Sequence, residues 1–319
     1  MADIAFTPTT IASRPQIWIR RYVFAMAGLT LFLMALGSAT RVMNAGLACP
    51  DWPLCYGSVL PSQQMNLQVF LEWFHRLIAS SMGLLVIALV AASWWYRRSV
   101  PNWLPWAALG ALSLVIVQGI LGGLTVTQLL RFDIVTAHLG TGLLFFSTLI
   151  AIGCCLIPHQ GMGSVGKLRW VSLAAAVLIY AQSILGALVA SRWALHQCLA
   201  GAKLCTVMNS HLIGVVPATL ATLTTLVLAW RTPALHPALR RLANFAGGLV
   251  VLQILLGVAT FKLHLQIEPL TVAHQAVGAS LLGALVAFTV LSLRDAPVRL
   301  ADRRSTPAER PSNTGEQPA

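Results

Sequence analysis

Hydrophobic and polar positions along the chain alternate on a long scale. Apolar runs of about 20 residues, enough to cross a bilayer as a helix, are separated by short stretches that hold most of the charges. Eight such runs stand out, at roughly 22–42, 72–95, 103–127, 134–157, 170–191, 209–230, 243–262 and 270–293. The pattern predicts an all-α polytopic membrane protein with eight transmembrane helices and no soluble domain. Residues 1–19 carry no periodic pattern and read as a cytoplasmic N-terminal segment. The stretch 295–319, rich in Pro, Ser, Arg and Glu, reads as a disordered cytoplasmic tail. The first run follows basic residues as a secretion signal would. It is too long for a signal's apolar core, so it is expected to remain as an anchor.

Composition strengthens this reading. The chain is 57% hydrophobic and only 9% charged, against about 45–50% and about 25% in soluble domains. The net charge of +12 would suit nucleic acid, but its placement points elsewhere. Arg14, Arg20, Arg21, Arg97, Arg98, Lys167, Arg169, Arg231, Arg240, Arg241, Arg294 and the tail arginines all fall on one side of the membrane if the eight spans are real. Arg131, Arg192, Lys203 and Lys262 fall on the other. The positive-inside rule then puts both termini in the cytoplasm, and no nucleic-acid partner is needed.

Internal repetition divides the chain into two tandem four-helix halves, 20–160 and 161–294. LGSATR (36–41) at the end of span 1 answers LGALVASR (185–192) at the end of span 5. QGILGGLTV (118–126) in span 3 answers QILLGVAT (253–260) in span 7, and TAHLGTGLL (136–144) answers VAHQAVGASLL (272–282). An even number of spans per half keeps both halves in one orientation, which predicts two bundles related by a pseudo-twofold about the membrane normal. Gly119, Gly122, Gly123, Gly186 and Gly257 suit close helix approach.

Candidate chemistry follows from that repeat. His75, His138, His211 and His274 each open an even-numbered span, so all four lie near the extracytoplasmic face, two per half. Imidazoles from separate helices can hold a haem iron from both sides. Zinc or copper is the rival, but no third ligand repeats beside them. His159, His196, His236 and His264 have no repeat partner and read as solvated. The halves differ in one respect: Glu72 and Arg76 flank His75, whereas Met208 and Leu212 stand in those places around His211. A carboxylate beside the ligands marks the first half for proton-moving chemistry, and its bare counterpart suits a haem that handles electrons. Arg76 is a candidate partner of Glu72 or of a haem propionate, and Arg41 and Arg192 are further propionate candidates, with interfacial anchoring the competing role for those two. Two cysteine pairs, Cys49–Cys55 and Cys198–Cys205, fall in outer loops, where disulfides persist. A redox-active pair is the lesser alternative. Cys154 and Cys155 read as packing residues.

The EWFHR segment, the TAH, NSH and VAHQ histidines and the first Cys pair resemble the haem A synthase family over residues 20 to about 293. The resemblance implies oxidation of the C8 methyl of haem o to a formyl group, giving haem a for terminal oxidases. It implies a haem b between His211 and His274, substrate haem o between His75 and His138, and an essential Glu72. It also implies a bacterial inner membrane, haem O synthase and cytochrome oxidase assembly as functional neighbours, and an electron-transfer partner. A homo-oligomer within the lipid is compatible with the pattern. A di-haem cytochrome b, or a protein that transports or delivers haem, would show the same histidines without needing Glu72.

Overall fold

A computed structural model of the chain describes residues 12–159, 163–190, 203–263 and 267–295. Eight long helices make up nearly all of it: α1 (Arg14–Val42), α2 (Leu67–Trp95), α3 (Leu104–Thr127), α4 (Phe132–Cys155), α5 (Leu168–Val189), α6 (Lys203–Arg231), α7 (Pro237–Lys262) and α8 (Glu268–Arg294). All eight are long and apolar enough to cross a membrane, and the described residues contain no strand longer than a single bridge, Cys55 to Ser58. The protein is a multi-pass membrane protein, as its hydrophobic pattern predicts.

Several helices begin earlier than the apolar runs. Ser13 caps α1 by accepting from the Gln16 amide at 3.3 Å, with Pro15 in the first turn. Asn66 caps α2 by accepting from the Val69 amide at 3.0 Å. Such caps satisfy amides that lack an intrahelical acceptor, so polar turns stay helical ahead of the hydrophobic stretch. The consequence at α2 is functional. Glu72 and His75 lie in its second and third turns, already inside the bundle.

The first four helices close into a ring: α1 packs on α2, α2 on α3, α3 on α4, and α4 back on α1. Helices α5 to α8 close in the same order. Between the halves, α1 meets α8, α4 meets α5, and α4 meets α8. Exchanging α1–α4 with α5–α8 turns this set of contacts into itself, the pattern that a twofold relation would produce. Helix α8 touches α1, α4, α5 and α7 and is apolar around most of its circumference, as expected of a central helix.

Ile19, Val23, Val86, Leu89, Leu104 and Leu149 fill the end of the first bundle away from its histidines. A second core of Ala175, Ile179, Val250, Leu281 and Leu282 joins the two halves. Trp18, Trp95, Trp106, Trp170 and Trp230 are exposed near the basic ends of their helices, forming the aromatic belt that marks a membrane–water boundary.

One expectation fails at this face. His159, read from the sequence as solvated, has a buried side chain. Its Nε2 lies 3.5 Å from a fully buried Asp295 carboxylate, and its ring is 4.8 Å from that of His236. His236 accepts from the Ala238 amide at 3.2 Å and so caps α7. A loop histidine became a core residue because the ends of α4 and α8 converge over it, a tertiary effect with no local signature. Cys154 is buried in the same region, in accord with a packing role.

Candidate functional site

The loop after α1 is folded tightly against the first half. Cys49 and Cys55 form a disulfide, and both are buried. Asp51 closes the turn by accepting from the Tyr56 and Gly57 amides at 2.6 and 2.7 Å. The Gly57 amide foremost, with other amides and Arg76, holds the exposed Asp51 carboxyl below the usual carboxylate range. The peptide between Trp52 and Pro53 is cis, and the Trp52 ring lies against Gly123 of α3, where a Cβ would meet it at 3.2 Å. Cys198 and Arg192, with His196 and His264, lie outside the described residues, as does the side chain of Cys205.

Arg76 joins this loop to α2. Its guanidinium donates to the carbonyls of Asp51 and Leu54, each at 2.6 Å, and more weakly to that of Cys49 at 3.4 Å. The same group pairs with Glu72 at 2.5 Å. The second Glu72 oxygen accepts from the Cys49 amide at 2.8 Å. Glu72 is 4% exposed, so its charge is both withdrawn from water and compensated from two directions. Arg76 thus spends its donors on Glu72 and on the loop. The half-buried Arg41 side chain, by contrast, has no hydrogen-bond or charge partner among the described residues.

The four histidines share one mode of packing. Each ring sits against a glycine of the preceding helix. A Cβ on Gly37 would come within 2.9 Å of His75, one on Gly122 within 3.5 Å of His138, one on Gly186 within 3.1 Å of His211, and one on Gly257 within 3.0 Å of His274. At Gly37, Gly186 and Gly257 the missing side chain makes the slot that seats the imidazole, and at Gly122 the ring lies at ordinary contact distance. His75 lies within electrostatic reach of His138, and His274 of His211. The structure therefore brings the four together as two pairs, one per half.

These pairs fit a haem iron held between two imidazoles. The Nδ1 atoms of His75, His138 and His274 are buried without a hydrogen-bond partner, an arrangement that buried polar groups rarely adopt unless a ligand completes it. Among the described residues no three His, Cys, Asp or Glu side chains gather as a cage for a bare metal ion. Three glutamines near the histidines escape a reading of the sequence alone: Gln118, Gln182 and Gln253. Their signal is a spacing, Gln four residues before Gly, that recurs in α3, α5 and α7.

Comparison with known proteins agrees with the geometry. The family model COX15-CtaA, described as cytochrome oxidase assembly protein, matches residues 20–286. A haem A synthase of Shewanella oneidensis is 28% identical, with 84% of this chain and 94% of the relative covered. A haem A synthase of Caulobacter vibrioides is also 28% identical, covering 86% and 95%. One of Rhizobium etli is 30% identical, covering 82% and 84%.

Proposed function

The chain belongs to the COX15-CtaA family of cytochrome oxidase assembly proteins, and on that basis we propose how its two halves divide the work of a haem A synthase. The enzyme converts haem o into haem a by oxidising the C8 methyl group to a formyl group. The observation that carries the division of labour is the asymmetry around equivalent histidines. Both halves seat a histidine pair on glycines, but only the first surrounds its pair with a buried carboxylate, Glu72, fixed by Arg76 and the Cys49 amide.

In this reading residues 20–160 form the substrate half. His75 and His138 bind the iron of haem o and thereby fix where the reacting methyl lies. Glu72 takes protons from that methyl carbon or balances positive charge developing on it. Two of its lone-pair positions are occupied by Arg76 and Cys49, and a carboxylate offers about four, so capacity for a proton remains. Arg41, half-buried and without a side-chain partner among the described residues, suits a propionate.

Residues 161–294 form the electron-handling half, with haem b between His211 and His274. A bis-histidine haem supplies reversible one-electron chemistry. The residues around it exclude water and hold the two rings in place. Both termini and the tryptophan belt face the cytoplasm in this assignment, and the membrane is the bacterial inner membrane. Haem O synthase would supply the substrate, and cytochrome oxidase assembly would consume the product.

The test is the haem content of membranes that express each variant with haem o supplied. Glu72→Ala should retain haem b and bound haem o yet form little haem a. Glu72→Asp should recover little, since a displacement of about an ångström can lower a rate on the order of a hundredfold. His75→Ala should lose haem o binding itself. Near wild-type haem a from Glu72→Ala would make the carboxylate a structural anchor of the loop only.

A further inference from the structure

Three of the four histidine slots contain a second element, and the fourth lacks it. In α3, α5 and α7 a glutamine stands four residues before the slot glycine: Gln118 before Gly122, Gln182 before Gly186, Gln253 before Gly257. Each glutamine reaches the histidine seated on that glycine. Gln118 Nε2 donates to the His138 carbonyl at 2.8 Å. Gln182 Nε2 donates to the His211 carbonyl at 2.6 Å and lies 3.0 Å from its Nδ1. Gln253 Nε2 lies 3.2 Å from His274 Nε2.

Each amide also occupies a notch that another glycine opens one turn beyond the histidine. A Cβ on Gly142 would meet Gln118 at 2.7 Å, and one on Gly278 would meet Gln253 at 3.0 Å; Gly214 gives way to Gln182 in the same manner. In the first slot Gly37 receives His75, but Leu33 holds the glutamine position and Ala79 the notch position. Glutamine and notch are present together three times and absent together once.

Two further details point to what the amides do. Gln118 Oε1 and Gln253 Oε1 are buried acceptors without a donor, and the rings beside them, His138 and His274, carry buried Nδ1 atoms without a partner. An imidazole that binds a metal through one nitrogen donates the N–H of the other, and the acceptor it finds fixes its tautomer and its angle. The glutamines act one step back from that bond: Gln118 and Gln182 donate to the main-chain carbonyls of His138 and His211, which fixes the turn that carries each ring, and Gln253 meets the His274 ring itself.

We infer that Gln118, Gln182 and Gln253 are positioning residues that lock His138, His211 and His274 as haem ligands, and that His75 is built without a lock. The inference rests on the histidine ligation proposed above. It gives the resident haem two locked ligands, as permanent retention requires. It gives the substrate half one locked and one yielding ligand, so that haem o can enter and haem a can leave past His75.

The experiment uses the full-length protein purified with its haem and follows haem transfer to excess apomyoglobin, together with the low-spin spectrum of the bound haem. Gln182→Leu and Gln253→Leu should release haem b about 10–100-fold faster than wild type, the usual cost of removing a partner of a metal-bound histidine, and should broaden the low-spin signal. Gln182→Glu, which keeps the shape but loses the N–H₂ that the His211 carbonyl accepts, should release haem b as fast as Gln182→Leu. The reverse change, Leu33→Gln with Ala79→Gly, should slow release from the first half about tenfold or more and leave the second half unaltered. Wild-type release and spectra from the leucine variants, or an unaltered first half in the reverse variant, would overturn the inference. If a leucine variant does not fold, the reverse variant decides alone. A low-spin haem that survives both His211→Ala and His274→Ala would instead overturn the ligation itself, a separate failure.

Discussion

At the scale of single residues, Arg76 separates two accounts of the substrate half. The sequence offers it to Glu72 or to a haem propionate. The structure commits its donors to Glu72 and to three carbonyls of the loop after α1. Arg76→Leu therefore removes the cation beside a carboxylate that is 4% exposed. Leaving a buried charge unpaired costs about 3–5 kcal/mol, and the loop loses its tether at the same time. The variant should lose haem a formation and become open to proteolysis within residues 43–66, as read by limited digestion of purified protein. Arg76→Lys should recover only part of both, because an ammonium cannot span four acceptors set around a planar fork. A propionate partner would behave otherwise, weakening haem binding while the loop stayed protected.

At the scale of helices, the glycines show what a sequence can and cannot convey. Gly119, Gly122, Gly123, Gly186 and Gly257 all read as sites of close approach, but they differ once neighbours are known. Gly122, Gly186 and Gly257 seat histidines, Gly123 seats Trp52, and a Cβ on Gly119 would meet nothing within 4 Å. Gly37, which answers Gly186 in the repeat but stands outside that set, seats His75. Spacing along one helix fixes the face a glycine occupies, whereas the identity of its neighbour depends on the register between two helices. The four histidines were legible because depth follows from counting spans, and the repeat supplied their equivalence. The glutamines were not, because their role appears only across a helix pair. Helix α1 supplies its own control. Gly37→Ala should push the His75 ring aside by a few tenths of an ångström or more and reduce haem o binding in the substrate half. Gly28→Ala, with nothing within 4 Å of the new methyl, should leave binding intact and change stability by no more than about 1 kcal/mol. Haem content and thermal midpoint of the two purified variants check both expectations.

At the scale of the molecule, span number and the repeat of four were legible because hydrophobic length and charge placement act locally. The central position of α8 and the convergence of α4 and α8 over His159 were not, since they arise from how the two rings meet. His159 stands at that convergence. It follows α4 of the first half, faces Asp295 at the end of α8, and touches His236 before α7, so one buried imidazole links both halves. Burial pushes its pKa below the ordinary histidine value, with His236 and Arg294 acting the same way and Asp295 opposing them. The neutral form is therefore the folded form. A depressed folded pKa means that the released chain binds more protons in the window below about 6.5, so stability falls as the pH drops into that window. The thermal midpoint of the purified protein should fall between pH 7.5 and pH 5.5, the range chosen to straddle about 6.5. His159→Asn, which cannot gain that proton, should show a shallower fall over the same range and a lower midpoint at pH 7.5 from lost packing. Parallel profiles for the two proteins would remove His159 from the closure between the halves and assign the acid sensitivity to other groups.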